Sequence, residues 1–233
     1  MFPLYSDQKI SRIPFVTVLL IITNVVVFWY QLTGPGSIIQ SVRQYGMIPF
    51  DFFHPGALDV PGRIAAPATF FTSMFMHGGF LHLGGNMLYL WVFGRNVEDY
   101  FGHLRFLVFY LSTGVLTAIV FMLVFPTGTA PLVGASGAIA GVLGVFFLRF
   151  PGSRIFCLIF IIIIVRIIEI PAFLVLGFWF VYQIGASMAS VTSPAGAAGH
   201  GGVAWIAHVA GFVVGIIWAI WEMRRHYLLR RNS

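Results

Sequence analysis

Three short segments carry side chains able to do chemistry. Ser136 stands in Gly134-Ala135-Ser136-Gly137, at the head of an apolar run, and His208 stands in Trp205-Ile206-Ala207-His208-Val209-Ala210-Gly211, near the start of the last apolar run. The third segment is His77-Gly78-Gly79-Phe80-Leu81-His82-Leu83-Gly84-Gly85-Asn86. Ionisable groups at membrane depth are costly and by default suggest function. A serine hydroxyl becomes a nucleophile when an imidazole takes its proton. Amide and imidazole N–H groups can hold the oxyanion that forms when the hydroxyl adds to a carbonyl. Together the set implies acyl-transfer chemistry among apolar helices.

The rest of the chain has to position those groups. Of its 233 residues, 59% are hydrophobic and 9% charged, with a mean hydropathy of +0.93. A soluble domain carries about 25% charged residues, so this composition implies a polytopic membrane protein, and the length fits one domain over 1–233. The formal net charge is +6. The basic residues lie at the ends of apolar runs, which argues for membrane topology and against a nucleic-acid partner. One cysteine, Cys157, leaves no internal disulfide and no zinc cluster.

Apolar runs at 13–33, 80–97, 104–125, 136–150, 171–187 and 203–222 are read as six membrane spans. The first is too long for a signal-peptide core and no small-x-small cleavage site follows, so it is expected to remain as a span. Residues 34–72 form a long mixed loop, too polar to span. Residues 155–168 are Ile-rich and are expected to lie at the interface or partly buried, with Arg166 and Glu169 as an i,i+3 pair. His54, His103, His200 and His226 fall in loops or tails and are expected to be solvated. With a cytoplasmic N-terminus, six spans put every basic residue except Arg43 and Arg63 on the cytoplasmic side. Seven spans would carry Arg224, Arg225, Arg230 and Arg231 outside, against the positive-inside rule.

The fourth run matters most. Fifteen residues at 1.5 Å each cover roughly 22 Å, short of the ~30 Å hydrocarbon core. Anchored by Arg149 and Pro151 at one end, it should leave Ser136 below the outer surface, at a helix N-terminus whose free N–H groups favour an anion. Gly134, Gly137, Gly141 and Gly144 recur along it, and Gly211 and Gly215 follow His208. Two small-residue faces let helices meet backbone to backbone, which would bring Ser136 to His208. His82 and Asn86, at i and i+4, share a helix face and can complete an oxyanion hole with the Ser136 N–H.

At these residues the chain resembles the rhomboid intramembrane serine proteases. The family's G-x-S-G corresponds to Gly134–Gly137, its H-x-x-x-x-H-x-x-x-N to His77, His82 and Asn86, and its A-H-x-x-G to Ala207, His208 and Gly211. A glycine- and glutamate-bearing helix end is matched by Gly94 through Gly102, including Glu98. The resemblance runs from about residue 69 to the end of the last span. It implies an all-α, six-helix membrane bundle with a long first extracytoplasmic loop. It further implies Ser136 as nucleophile, His208 as base, and His82, Asn86 and the Ser136 amide as oxyanion hole. Substrates would be transmembrane proteins cut in or near the lipid bilayer, with no cofactor or metal, by a multi-pass protein of the cell (inner) membrane with both termini cytoplasmic.

Two positions depart from the family pattern. Ala68-Thr69 stands where many members have Trp-Arg, and Ala140 stands where some stack an aromatic on the histidine, so the orientation of His208 must come from elsewhere. A proton-relay transporter is the main rival reading, but the chain has no internal duplication. A catalytically dead relative should lack the serine or the histidine, and both are here. No H-E-x-x-H occurs, and no aspartate lies within a span, which excludes an aspartyl dyad and leaves Ser–His without an acidic third member.

Overall fold

The computed structural model describes residues 2–161, 164–192 and 204–231. Its helices are α1 Phe15–Thr33, α2 Ile38–Tyr45, α3 Pro49–Phe53, α4 Thr69–Thr72, α5 Phe80–Tyr89, α6 Arg95–Phe101, α7 His103–Val124, α8 Ser136–Arg149, α9 Ala172–Thr192 and α10 Ala204–Arg231. A π-helical turn over Leu90–Gly94 joins α5 to α6 into one helical rod. Among the described residues, three helices are long and apolar enough to cross a membrane, within Phe15–Thr33, His103–Val124 and Trp205–Leu228. Ser136–Arg149 and Ala172–Gly185 are shorter apolar helices.

Helix α8 is the centre of the bundle. It is apolar on every face, and every residue from Gly137 to Phe146 is buried, as expected for a helix enclosed by others. Its closest neighbour is α10. A Cβ built at Gly211 would run into the Gly137 carbonyl, one at Gly215 into the Gly141 carbonyl, and one at Gly144 into the Phe212 carbonyl. The two backbones touch, as the spacing of glycines predicts. Thr117 of α7 lies against Gly137, and Thr113 against Gly141.

At the other end of the bundle, the buried Glu98 carboxylate closes the start of α1. It accepts from the Val16 N–H at 2.9 Å, the Thr17 N–H at 2.7 Å and the Thr17 hydroxyl at 2.6 Å. These are helix-start donors that have no intrahelical partner, and the positive helix end favours the carboxylate. Asp99 likewise accepts from Ser11 and Arg12. Gly102, at φ +80°, breaks α6 from α7. His103 is a correction to the expectation of solvated histidines: its Nδ1 lies 2.6 Å from Glu98. His226 stacks on Tyr100 and His54 on Phe50; His200 lies outside the described residues.

The all-α expectation is corrected at one place. Phe2–Ser6 (β1), Arg154–Ile161 (β2) and Ile164–Pro171 (β3) form an antiparallel sheet in the order β1-β2-β3. The register runs Phe2↔Leu158 to Ser6↔Ile155 and Arg154↔Pro171 to Ile161↔Ile164. The β-branched isoleucines favour strand over helix, and Ile168 and Ile170 pack on the core while Val165 and Ile167 face out. Residues 166 and 169 of a strand lie on opposite faces, so Arg166 and Glu169 do not pair. Glu169 instead bonds Arg154 across the sheet at 2.8 Å, which raises the Arg154 pKa. Asp7 accepts from the Ser153 hydroxyl at 2.6 Å and the Arg154 N–H at 3.0 Å. Burial opposes its charge, yet these bonds hold its pKa below the usual carboxylate value.

Between α1 and α5 the chain folds into the short helices α2, α3 and α4. Arg63 is held by Asp51 at 2.6 Å and by the Arg43 and Gly46 carbonyls. Four backbone bonds tie this region to the loop before Ser136: Met47 and Leu132 exchange N–H···O bonds at 3.1 and 2.7 Å, Phe50 N–H donates to Gly128 O at 3.0 Å, and Gly134 N–H donates to Ser73 O at 2.8 Å.

Gly215→Leu puts a branched side chain into the α8–α10 backbone contact. Overpacking of this kind costs about 1–3 kcal/mol, and the unfolding midpoint in detergent is expected to fall accordingly. An unchanged midpoint would show that the two helices do not depend on this contact.

Candidate active site

Ser136 begins α8 behind a strained approach. Gly134 has φ +117°, a conformation open to glycine and resisted by other residues. Its missing side chain also matters: a Cβ there would sit 2.8 Å from His82 Nε2, 2.9 Å from His82 Cε1 and 3.5 Å from Asn86 Nδ2. The first bond of the helix is Ile139 N–H to Ala135 O at 3.0 Å. The N–H groups of Ser136, Gly137 and Ala138 come before it and have no place in the i→i−4 ladder.

His208, on the first turns of α10, comes to Ser136 through the glycine contact. Its Nε2 lies 2.8 Å from Ser136 Oγ. On the other side of the ring, Nδ1 lies 2.9 Å from Gln183 Oε1 on α9. Trp179 of α9 tilts over the ring at 5.9 Å and 34°, and Trp205 meets it edge-on at 6.1 Å. These contacts supply the orientation that Ala140 does not.

The α5 side of the site is fixed by backbone. Gly78 N–H donates to His82 Nδ1 at 3.4 Å, so the neutral ring carries its proton on Nε2, the nitrogen beside Gly134. Asn86 Nδ2 lies 3.0 Å from His77 Nε2. That nitrogen can accept because His77 Nδ1 faces the Phe75 carbonyl at 3.3 Å. One Asn86 N–H is thereby used, and the amide nitrogen has a second to offer. His77 is fully buried, and Gln31 of α1 clamps its backbone twice. The His77 N–H donates to Gln31 Oε1 at 2.9 Å, and Gln31 Nε2 donates to His77 O at 3.1 Å. His77 thus ties down both the loop and Asn86.

The four residues singled out from the sequence, Ser136, His208, His82 and Asn86, all line one cavity of about 240 Å³. Leu81, Gly85, Tyr89, Ile139, Leu143 and Trp179 make up most of its apolar wall. Sequence reasoning missed Gln31, Gln183 and Trp179. Both glutamines had a signal, since an uncharged amide inside an apolar run needs a partner. Nothing local says which partner it finds.

Residues 66–225, more than two thirds of the chain, match the Rhomboid domain. The chain belongs to the rhomboid family. Among relatives, it is 38% identical over 93 residues to Rhomboid protein 1, mitochondrial, of Saccharomyces cerevisiae, covering 38% of this chain and 27% of that protein. It is 38% identical over 100 residues to Rhomboid protease GluP of Bacillus subtilis, covering 39% and 19%, and 41% identical over 71 residues to RHOMBOID-like protein 5 of Arabidopsis thaliana, covering 30% and 23%. The matched stretches span less than a third of each relative's own length. Family membership and the apolar helices make this rhomboid an integral membrane protein.

Gly134, two residues before Ser136, gives a direct test. Gly134→Ala combines an unfavourable φ with a collision against His82. It is expected to cut Ser136 labelling by a fluorophosphonate at least tenfold while the bundle stays folded. Wild-type labelling would mean that His82 and the serine loop are not held at this separation.

Proposed function

We propose that this rhomboid is an intramembrane serine endopeptidase that cuts transmembrane segments of membrane proteins by a Ser136–His208 dyad. The observation that carries the reading is the 2.8 Å approach of His208 Nε2 to Ser136 Oγ, inside a cavity that His82 and Asn86 also line. Ser136 Oγ attacks the scissile carbonyl carbon as its proton passes to His208 Nε2. The carbonyl oxygen takes negative charge against His82 Nε2–H, the remaining Asn86 Nδ2–H and the Ser136 backbone N–H. His208 then hands its proton to the leaving amine, the peptide bond breaks, and an acyl-enzyme remains. Water, deprotonated by the same nitrogen, attacks that ester and releases Ser136. Residues of this chain suffice for each proton transfer, and the reading calls for no cofactor or metal.

The low share of charged residues and the apolar cavity wall support a substrate that is itself an apolar helix, entering from the lipid. We further propose one domain over 1–233 with six spans, α5 through α6 counting as the second, in a cell (inner) membrane. The sheet and both termini then face the cytoplasm, and the α2–α4 loop faces outside.

A fluorophosphonate probe should label the wild type, fail on Ser136→Ala and nearly fail on His208→Ala. Asn86→Ala and His82→Ala should each slow cleavage of a transmembrane reporter on the order of 10²-fold, with a folded bundle, because the other donors remain. Strong labelling of Ser136→Ala would remove serine from the mechanism.

Orientation is separately measurable. Because Cys157 is buried and free, a Cys157→Ser background leaves single introduced thiols to report. Arg154→Cys should react with an impermeant maleimide in inverted vesicles, and Phe53→Cys in intact cells. The reverse pattern would overturn the orientation.

A further inference from the structure

The dyad as drawn leaves one requirement unmet by Ser136 and His208 alone. An imidazole can carry its proton on either nitrogen, and only the form with a bare Nε2 can take the serine proton. Serine hydrolases with a triad settle this with an acid at Nδ1, and replacing that acid's charge by a donor that selects the wrong tautomer costs about 10⁴-fold in kcat. Here both ring nitrogens have partners, Gln183 at Nδ1 and Ser136 at Nε2, and neither is an acid. We propose that Gln183 is the positioning residue that holds His208 in its Nδ1–H tautomer and keeps the Nε2 lone pair on Ser136.

Donors and acceptors at the ring edge decide the tautomer. An amide oxygen only accepts, so the 2.9 Å contact between Gln183 Oε1 and Nδ1 requires a proton on Nδ1. In the other tautomer two lone pairs would face each other there, while Nε2–H would face the serine oxygen it is meant to deprotonate. Gln183 is 3% exposed, so water does not readily replace it. Trp179, one turn earlier on α9, covers the ring face and limits its rotation. One helix therefore supplies both restraints, an acceptor at the ring edge and an aromatic on its face. A neutral acceptor also suits the depth of the site, since an aspartate or glutamate in its place would add a charge to an apolar span. Outer partners that orient a histidine in this way typically change activity 10- to 100-fold when removed.

The inference rests on the dyad reading, and its test separates the two. The full chain is purified in detergent with ¹⁵N-labelled histidine, and the fluorophosphonate is the probe. Gln183→Met keeps the length and the absence of charge and removes the acceptor, while Gln183→Glu keeps an acceptor oxygen. Gln183→Met is expected to lower the maximal rate of Ser136 labelling 10- to 100-fold, with little change in the probe concentration for half-maximal rate. Gln183→Glu is expected to recover most of that loss. In a Ser136→Ala background, the His208 ring nitrogens should read as Nδ1-protonated with glutamine or glutamate at 183, and as a mixture of tautomers with methionine. A purely structural tie between α9 and α10 would lower the unfolding midpoint and leave the tautomer signature unchanged. That result, or wild-type labelling by Gln183→Met while His208→Ala is inactive, overturns the role of Gln183 and leaves the dyad standing. Full labelling of His208→Ala overturns the dyad itself. Should Gln183→Met fail to fold, the tautomer signature of wild type against Gln183→Glu still decides: a wild-type ring without its proton on Nδ1 overturns the proposal.

Discussion

The backbone contact between α8 and α10 governs everything else in this molecule. Two helices whose carbonyls lie against each other's glycines have no side chain between them to absorb error. Such close packing in an apolar medium gains from dispersion and shape rather than from expelling water. It also converts a helix separation into a chemical distance. Ser136 is the first residue of one helix, His208 lies on the first turns of the other, and the 2.8 Å between them is set by glycines one to two turns deeper.

Polar groups away from water must be satisfied within the protein, and the way this rhomboid does so explains the rest of the site. Gln31 uses both ends of its amide on the His77 backbone. His77 then accepts from Asn86, and Gly78 fixes the His82 tautomer. Gln183 does the equivalent for His208. His82 and His208 therefore each sit one bond away from a group with no chemistry of its own, Gly78 N–H and the Gln183 amide. At the far end Glu98 closes the start of α1 by the same logic. The outcome is a set of N–H donors held in place by the fold, the arrangement that preorganised electrostatic stabilisation requires.

The sheet at the opposite face is a different solution to the same constraint. The Ile-rich stretch after α8 cannot leave its backbone unpaired, and its β-branched side chains favour strands. Pairing with Phe2–Ser6 closes one edge. It also joins the chain's start to the hairpin between α8 and α9, with Asp7 and Ser153 bonded at the junction.

Ser136, His208, His82 and Asn86 were legible in the chain because ionisable and amide groups are rare in apolar runs and glycines mark close packing. The apolar runs begin within two residues of the helix starts, because long apolar runs leave few alternatives, whereas α9 and α10 continue five and nine residues past the runs' ends at 187 and 222. Three things were not legible. Residues 155–168 are too short and too uniformly apolar for periodicity to separate strand from helix, and the N-terminal strand that pairs with them is about 150 residues away. Gln31 and Gln183 stand out as polar residues, but an amide can bond to almost anything, so their partners depend on which helices meet. Trp179 reads as one more aromatic in a span until α9 is laid beside α10. Composition and local pattern thus determined which candidate groups stand out and which helices carry them. Only the tertiary structure decided which nitrogen of each histidine faces which partner, because hydrogen bonding is directional and short-ranged, and residues far apart in the chain come within reach only once the helices pack.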